Sequence, residues 1–127
     1  MKSILIDTDI LINFLRGKNR AREFLSSLVE DVTVYCSVIT VAEIFAGMRE
    51  HEKQQTVDLL DSLNIVAVSR PIAEKAGMYK SHTRTQTLEL DDCFIAATAY
   101  ILQATLATGN TKHYPMDDIN KTRVVTE

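Results

Sequence analysis

The chain has 127 residues, of which 46% are hydrophobic and 24% charged, and its formal net charge is −3. That is enough for one domain with its own core, and the composition excludes a disordered tail, a fibre or a disulfide scaffold. The acidic balance also excludes the broad basic footprint of a general nucleic-acid binder, although carboxylates that hold a metal count as negative until the metal is present. Cys36 and Cys93 lie far apart and form no CxxC pair. No cationic start precedes a long apolar run, and no stretch reaches membrane-spanning length. A reduced, cytoplasmic, single domain over residues 1–127 is expected, without a membrane partner.

Ser3–Ile6 reads as a short strand, apolar on both faces. Asp9–Leu15 follows as a helix stopped by Gly17. Arg20–Val29 is a second helix, with Ala21, Phe24, Leu25 and Leu28 at helical spacing. Arg16, Lys18, Arg20 and Arg22 cluster here, either as a solvated face or as a contact for phosphates or an acidic partner. Val32–Tyr35 is a strand and Ser37–Ile39 its end or a turn. Val41–Glu50 and Glu52–Leu63 are helices, and together with Arg20–Val29 they carry enough apolar residues to offer a groove for a partner helix. Ile65–Val68 is a strand. Ser69 caps a helix that takes Pro71 in its first turn and runs to about Ser81. A polar loop, Thr83–Thr87, leads to a helix over Asp92–Gln103. Thr105–Thr108 is a strand ended by Gly109-Asn110, and Arg123–Val125 a last strand. Strands separated by helices predict an α/β fold with a parallel sheet covered on both sides. The strand order is not given by the sequence.

Three acids stand at strand-to-helix junctions: Asp7, Glu43 and Asp92. Each has a simple explanation on its own. Asp7 or Asp9 would cap the following helix, Thr40 to Glu43 has the spacing of a capping box, and Asp91 or Asp92 would cap the Cys93 helix. If the strand order brings them together, they would form an oxygen-rich pocket at the sheet rim, where ligands of α/β folds bind. Such a pocket suits Mg²⁺ or Mn²⁺ and phosphodiester hydrolysis by a metal-activated water. His51, His82 and His113 are isolated, so zinc is not indicated, and no phosphate-binding glycine motif is present.

These residues carry a family resemblance. Ile4-Leu5-Ile6-Asp7-Thr8-Asp9-Ile10-Leu11-Ile12 resembles the opening of PIN-domain ribonucleases. Ser37-Val38-Ile39-Thr40-Val41-Ala42-Glu43-Ile44-Phe45-Ala46-Gly47 is similar to their second motif, Asp92-Cys93-Phe94-Ile95-Ala96-Ala97-Thr98-Ala99 to their third, and Thr108-Gly109-Asn110-Thr111-Lys112-His113-Tyr114 to their fourth. Their order and spacing resemble the small VapC-type toxins of toxin–antitoxin pairs. The resemblance implies a three-layer α/β/α fold around a parallel sheet of four to five strands. It implies a Mg²⁺- or Mn²⁺-dependent endoribonuclease acting on RNA, neutralised by a small antitoxin and assembled as a homodimer or with the antitoxin. Asp7, Glu43 and Asp92 would be the metal-holding catalytic acids, with Thr8 and Asp91 supporting them. Relatives commonly carry an aspartate at the position of Asn110 or His113. Here Asn110 would offer a carbonyl oxygen or hold a water, His113 would meet phosphate or a proton, and Asp117 is a substitute acid in a loop.

Two other readings share some of these residues. In a haloacid-dehalogenase-like phosphohydrolase, Asp7 and Asp9 would be nucleophile and acid, and Asp91 and Asp92 the later acidic pair. In a degenerate PIN-like module the chain would bind RNA or protein without cutting.

Overall fold

The computed structural model describes residues 3–126. Five strands form one parallel sheet: β1 (Ser3–Ile6), β2 (Thr33–Ser37), β3 (Asn64–Val66), β4 (Thr105–Thr108) and β5 (Lys121–Arg123), in the order β3-β2-β1-β4-β5. The helices are α1 (Thr8–Leu15), α2 (Asn19–Ser26), α3 (Val38–Gly47), α4 (Lys53–Asp61), α5 (Arg70–His82) and α6 (Leu90–Leu102). Successive residues of a strand point to opposite faces, and β1 obeys this. Leu5 packs with Ile72 and Ala76 of α5 and Ala96 of α6. Ile4 and Ile6 pack on the other side with Ile10 and Leu11 of α1, Ile44 of α3 and Leu60 of α4. The three expected layers are present, and burial of β1 on both faces explains its unbroken apolar sequence.

The strand order decides where a site can form. The chain lays β2 and β3 on one side of β1, then crosses to place β4 and β5 on the other. At that reversal, helices leave the carboxyl ends of neighbouring strands in opposite directions and open a crevice. Asp7 follows β1 directly, and its amide donates to Ala107 O of β4 at 2.9 Å.

Several element ends differ from the sequence reading. The third helix begins at Val38 instead of Val41, because the Ser37 hydroxyl accepts from the Ile39 amide at 3.0 Å and caps it. Thr40 is therefore no cap, and Glu43 is no capping-box partner; both lie inside α3. The sixth helix begins at Leu90, so Asp92 sits in its first turn and not at its cap. The segment Glu50–Glu52 is a separate 3₁₀ turn, with the Arg49 amide donating to Glu52 Oε1 at 2.8 Å. The last strand is Lys121–Arg123, paired with Leu106–Thr108. Its ladder stops where β4 stops, and Val124 turns into the core beyond it. Gly17 ends α1 as expected, at φ 78 in the left-handed region that glycine adopts without strain.

Candidate metal centre

Asp7 is only 7% exposed and accepts three hydrogen bonds. Its Oδ1 accepts from the Thr8 amide at 2.8 Å, which caps α1. Its Oδ2 accepts from the Thr108 hydroxyl at 2.8 Å and from the Tyr114 hydroxyl at 2.9 Å. An ionised carboxylate offers about four acceptor directions. Three are used, and the one left, on Oδ1, is free for an ion. Capping and metal binding thus fall to the same side chain without conflict.

Thr8 connects α1 to α3. Its hydroxyl donates to Glu43 Oε1 at 2.6 Å and stands 2.8 Å from the hydroxyl of buried Thr40. A hydroxyl has one proton, so Thr40 is the donor to Thr8, and the chain runs Thr40 to Thr8 to Glu43. Asp92 approaches from α6. Its Oδ1 is 3.4 Å from the Tyr114 hydroxyl, and its Oδ2 is 3.5 Å from Nδ1 of His113.

The acids feel one another. Burial raises Glu43 above the ordinary carboxylate range; the Thr8 hydrogen bond opposes this, and the charges of Asp91, Asp7 and Asp92 add to it. Burial likewise raises Asp92, with His113 opposing and Asp7 and Asp91 adding. Asp91 is exposed beside them. Among the described residues the ion pairs are Arg70–Glu74, Lys75–Asp118 and His113–Asp92, so no lysine or arginine pairs with Asp7, Glu43, Asp91 or Asp92. Clustered carboxylates without a basic partner are costly, and a divalent cation relieves that cost.

The convergence is looser than the sequence reading expected. Among the described residues no three Asp, Glu, His or Cys side chains stand together as a ready set of direct ligands. Mg²⁺ fits this arrangement, since it keeps several waters and takes only one or two carboxylates directly. The donor set is all oxygen, as a hard cation requires. Cys36 is no competitor: burial, then the charge of Asp7, push its thiol up to about 12.

The fourth motif forms the lip of the site. The Asn110 amide donates to Thr108 Oγ1 at 3.0 Å, and Asn110 Nδ2 lies 3.0 Å from His113 Nε2. The Asn110 side-chain amide is thus engaged with His113, and His113 faces Asp92. Asp117 does not join them. It lines a cleft with Tyr79, His82, Arg84 and Asp118.

Asp9, read as a possible cap, is a brace. Its Oδ1 accepts from the Ile10 amide at 2.9 Å, and its Oδ2 from the Gly109 amide at 2.9 Å. Burial, and next the charge of Asp7, raise it to about 6 against these hydrogen bonds. The approach requires a glycine: a Cβ at position 109 would stand 2.5 Å from Asp9 Oδ2 and 3.2 Å from Val124 O. Gly109→Ala is expected to displace the Asp9 carboxylate and lose its bond to the amide that follows β4. The expected cost is roughly 1–3 kcal/mol, read as a lower urea midpoint; an unchanged midpoint would show the brace to be dispensable.

The family model for the PIN domain matches residues 4–119. The chain belongs to the PIN domain family. This PIN domain is 39% identical over 115 residues to Ribonuclease VapC10 of Mycobacterium tuberculosis, covering 89% of this chain and 86% of that relative. Among solved structures it is similar to a toxin–antitoxin complex from Klebsiella pneumoniae, at 30% identity and TM-score 0.79, covering 91% of this chain and 94% of that one. It also shares the fold of VapBC2 from Rickettsia felis bound to a DNA fragment from their promoter. That match has 20% identity and TM-score 0.83, and covers 97% of this chain and 99% of that one. The phosphohydrolase alternative loses its footing: Asp9, the acid it requires beside Asp7, has both oxygens on backbone amides.

Sequence reading missed the hydroxyls. Thr40, Thr108 and Tyr114 are buried and serve the acids, whereas in the sequence Thr40 reads as a helix cap and Thr108 and Tyr114 only as the two ends of the fourth motif.

Proposed function

We propose that this chain is a single-domain, metal-dependent endoribonuclease toxin. Asp7, Glu43 and Asp92 hold Mg²⁺ or Mn²⁺, with Asp91 beside them, and the substrate is RNA. A small antitoxin protein neutralises it, and it works in the cytoplasm as a homodimer or in a complex with the antitoxin. The observation that carries the reading is that the charge of Asp7, which follows β1, acts on both Glu43 of α3 and Asp92 of α6, with no lysine or arginine paired to them among the described residues. The relative named a ribonuclease and the neighbour described as a toxin–antitoxin complex support the same reading.

When bound, the ion supplies water activation and neutralises charge at the phosphate. The chain's own residues position the acids. Thr8 and Thr40 hold Glu43 toward the cup, and Thr108 holds Asp7. His113, exposed at the lip and oriented by Asn110, stands where a substrate phosphate would meet it. For the antitoxin, a shallow groove lined by Ile12, Leu15, Arg16, Ile44, Met48 and Thr56 fits the apolar side of a partner helix, with Arg16 available for an acid.

Purified protein is expected to cut RNA internally with Mn²⁺ or Mg²⁺, to stop with EDTA, and to lose cutting in Asp7→Asn. RNA binding without cleavage at millimolar metal would instead favour the non-catalytic module. A phosphorylated Asp7 would favour the phosphohydrolase.

A further inference from the structure

Among the described residues, Tyr114 is the side chain whose hydroxyl reaches two of the proposed metal-holding acids. Its hydroxyl donates to Asp7 Oδ2 at 2.9 Å and lies 3.4 Å from Asp92 Oδ1. The residue is completely buried. Its ring belongs to the core on the α5–α6 face, with Leu5, Cys93 and Leu106. Its backbone is fixed as well. The Tyr114 amide donates to Thr111 O at 3.0 Å, and Lys121 Nζ donates to Tyr114 O at 2.6 Å and to Met116 O at 2.8 Å. The phenol oxygen therefore has little freedom to move.

We infer that Tyr114 is a positioning residue for the metal centre, its hydroxyl setting the spacing between Asp7 and Asp92. The inference rests on the metal-centre reading above. Two anions close together repel, and a hydroxyl between them is a neutral group that both can approach. It offers a single proton, which goes to the nearer oxygen, Asp7 Oδ2. Asp7 Oδ1 keeps its open direction. A tyrosine hydroxyl carries its proton at neutral pH and so serves as a donor there. Thr108 cannot replace it, because its hydroxyl reaches Asp7 alone among the site acids. Partners that hold metal-binding carboxylates in place typically change metal affinity 10–100-fold when removed.

Tyr114→Phe removes the hydroxyl and keeps the ring. Its Mn²⁺ dissociation constant, measured by titration calorimetry, is expected to rise about 10–100-fold. Cleavage is expected to fall at low Mn²⁺ and to recover toward the wild-type kcat at saturating Mn²⁺. A residue that only filled space would leave the dissociation constant unchanged. Affinity within twofold of wild type would overturn the inference while leaving the metal centre standing. Failure of the wild type itself to bind Mn²⁺ would overturn both. If Tyr114→Phe does not fold, the wild type is titrated with Mg²⁺ and the buried Tyr114 hydroxyl proton is followed by NMR. A shift that saturates with metal binding supports the inference, and an unmoved signal overturns it.

Discussion

Replacing Asp92 with asparagine is expected to abolish RNA cleavage and leave the protein folded. A correctly held ion supplies several kcal/mol of transition-state stabilisation, so the rate should fall by roughly 10³-fold or more. Without metal, the variant should be slightly steadier than the wild type. Burial raises Asp92, and the charges of Asp7 and Asp91 add to that, so its ionised form is a burden that asparagine removes. The loss of the His113 contact offsets part of this gain, but His113 is half exposed and its contact is long, at 3.5 Å. Gel assays for cleavage and thermal melting for stability check the two halves separately. A variant that still cuts RNA at the wild-type rate would remove Asp92 from the site; one that melts much earlier would make it a structural residue.

Mn²⁺ should stabilise the wild type, and the size of that effect should depend on pH in a definite direction. Asp9, raised from 3.8 to about 6, and Glu43 and Asp92, also raised, bind more protons in the folded protein than in the unfolded chain. Stability from such groups is complete below their unfolded values and is lost as pH rises through the folded ones. For Asp9 the window runs from 3.8 to about 6. The metal-free protein should therefore become more stable as pH falls from 7 toward 5. Asp118 acts in the opposite sense further down: despite some burial, Lys75 and Tyr79 hold it below the usual range, so its contribution is lost in acid. Metal reverses the order at neutral pH. At a free concentration of a hundred times its dissociation constant, Mn²⁺ should add about 2.7 kcal/mol. The increment should shrink toward pH 5, where protons compete for the same carboxylates. Melting curves at pH 5 and 7, with and without Mn²⁺, test this. Equal metal shifts at both pH values, or in wild type and Asp92→Asn, would count against these acids as ligands.

The layer architecture was legible because β1 and β4 are short apolar runs and the helices keep a clear period. The strand order was not, since it depends on which faces fit together across the whole chain. The sharpest misreading concerned α3. Ser37-Val38-Ile39 reads locally as strand because β-branched residues favour it, and Thr40 to Glu43 reads as a capping box. Tertiary contact decided otherwise. Ser37 supplies the cap, which frees Thr40 to meet Thr8 and carries Glu43 inward along the helix. Asp7, Glu43 and Asp92 were singled out because in the sequence each reads as a strand-to-helix junction, although in the fold only Asp7 stands at one while Glu43 lies inside α3 and Asp92 in the first turn of α6. Their supports were not singled out, because Thr108 and Tyr114 reach Asp7 across 101 and 107 residues of chain.

Those long spans also govern when the site comes into being during synthesis. A ribosome that has made the polypeptide only as far as α6 has already incorporated all three acids, but not the Thr108 and Tyr114 hydroxyls that Asp7 leans on. Tyr114 comes later, and the Lys121 ammonium that pins its carbonyl later still. Assembly of the cup thus waits on the closing strand of the sheet, so a partly translated copy lacks the finished site beside the translation machinery that is making it.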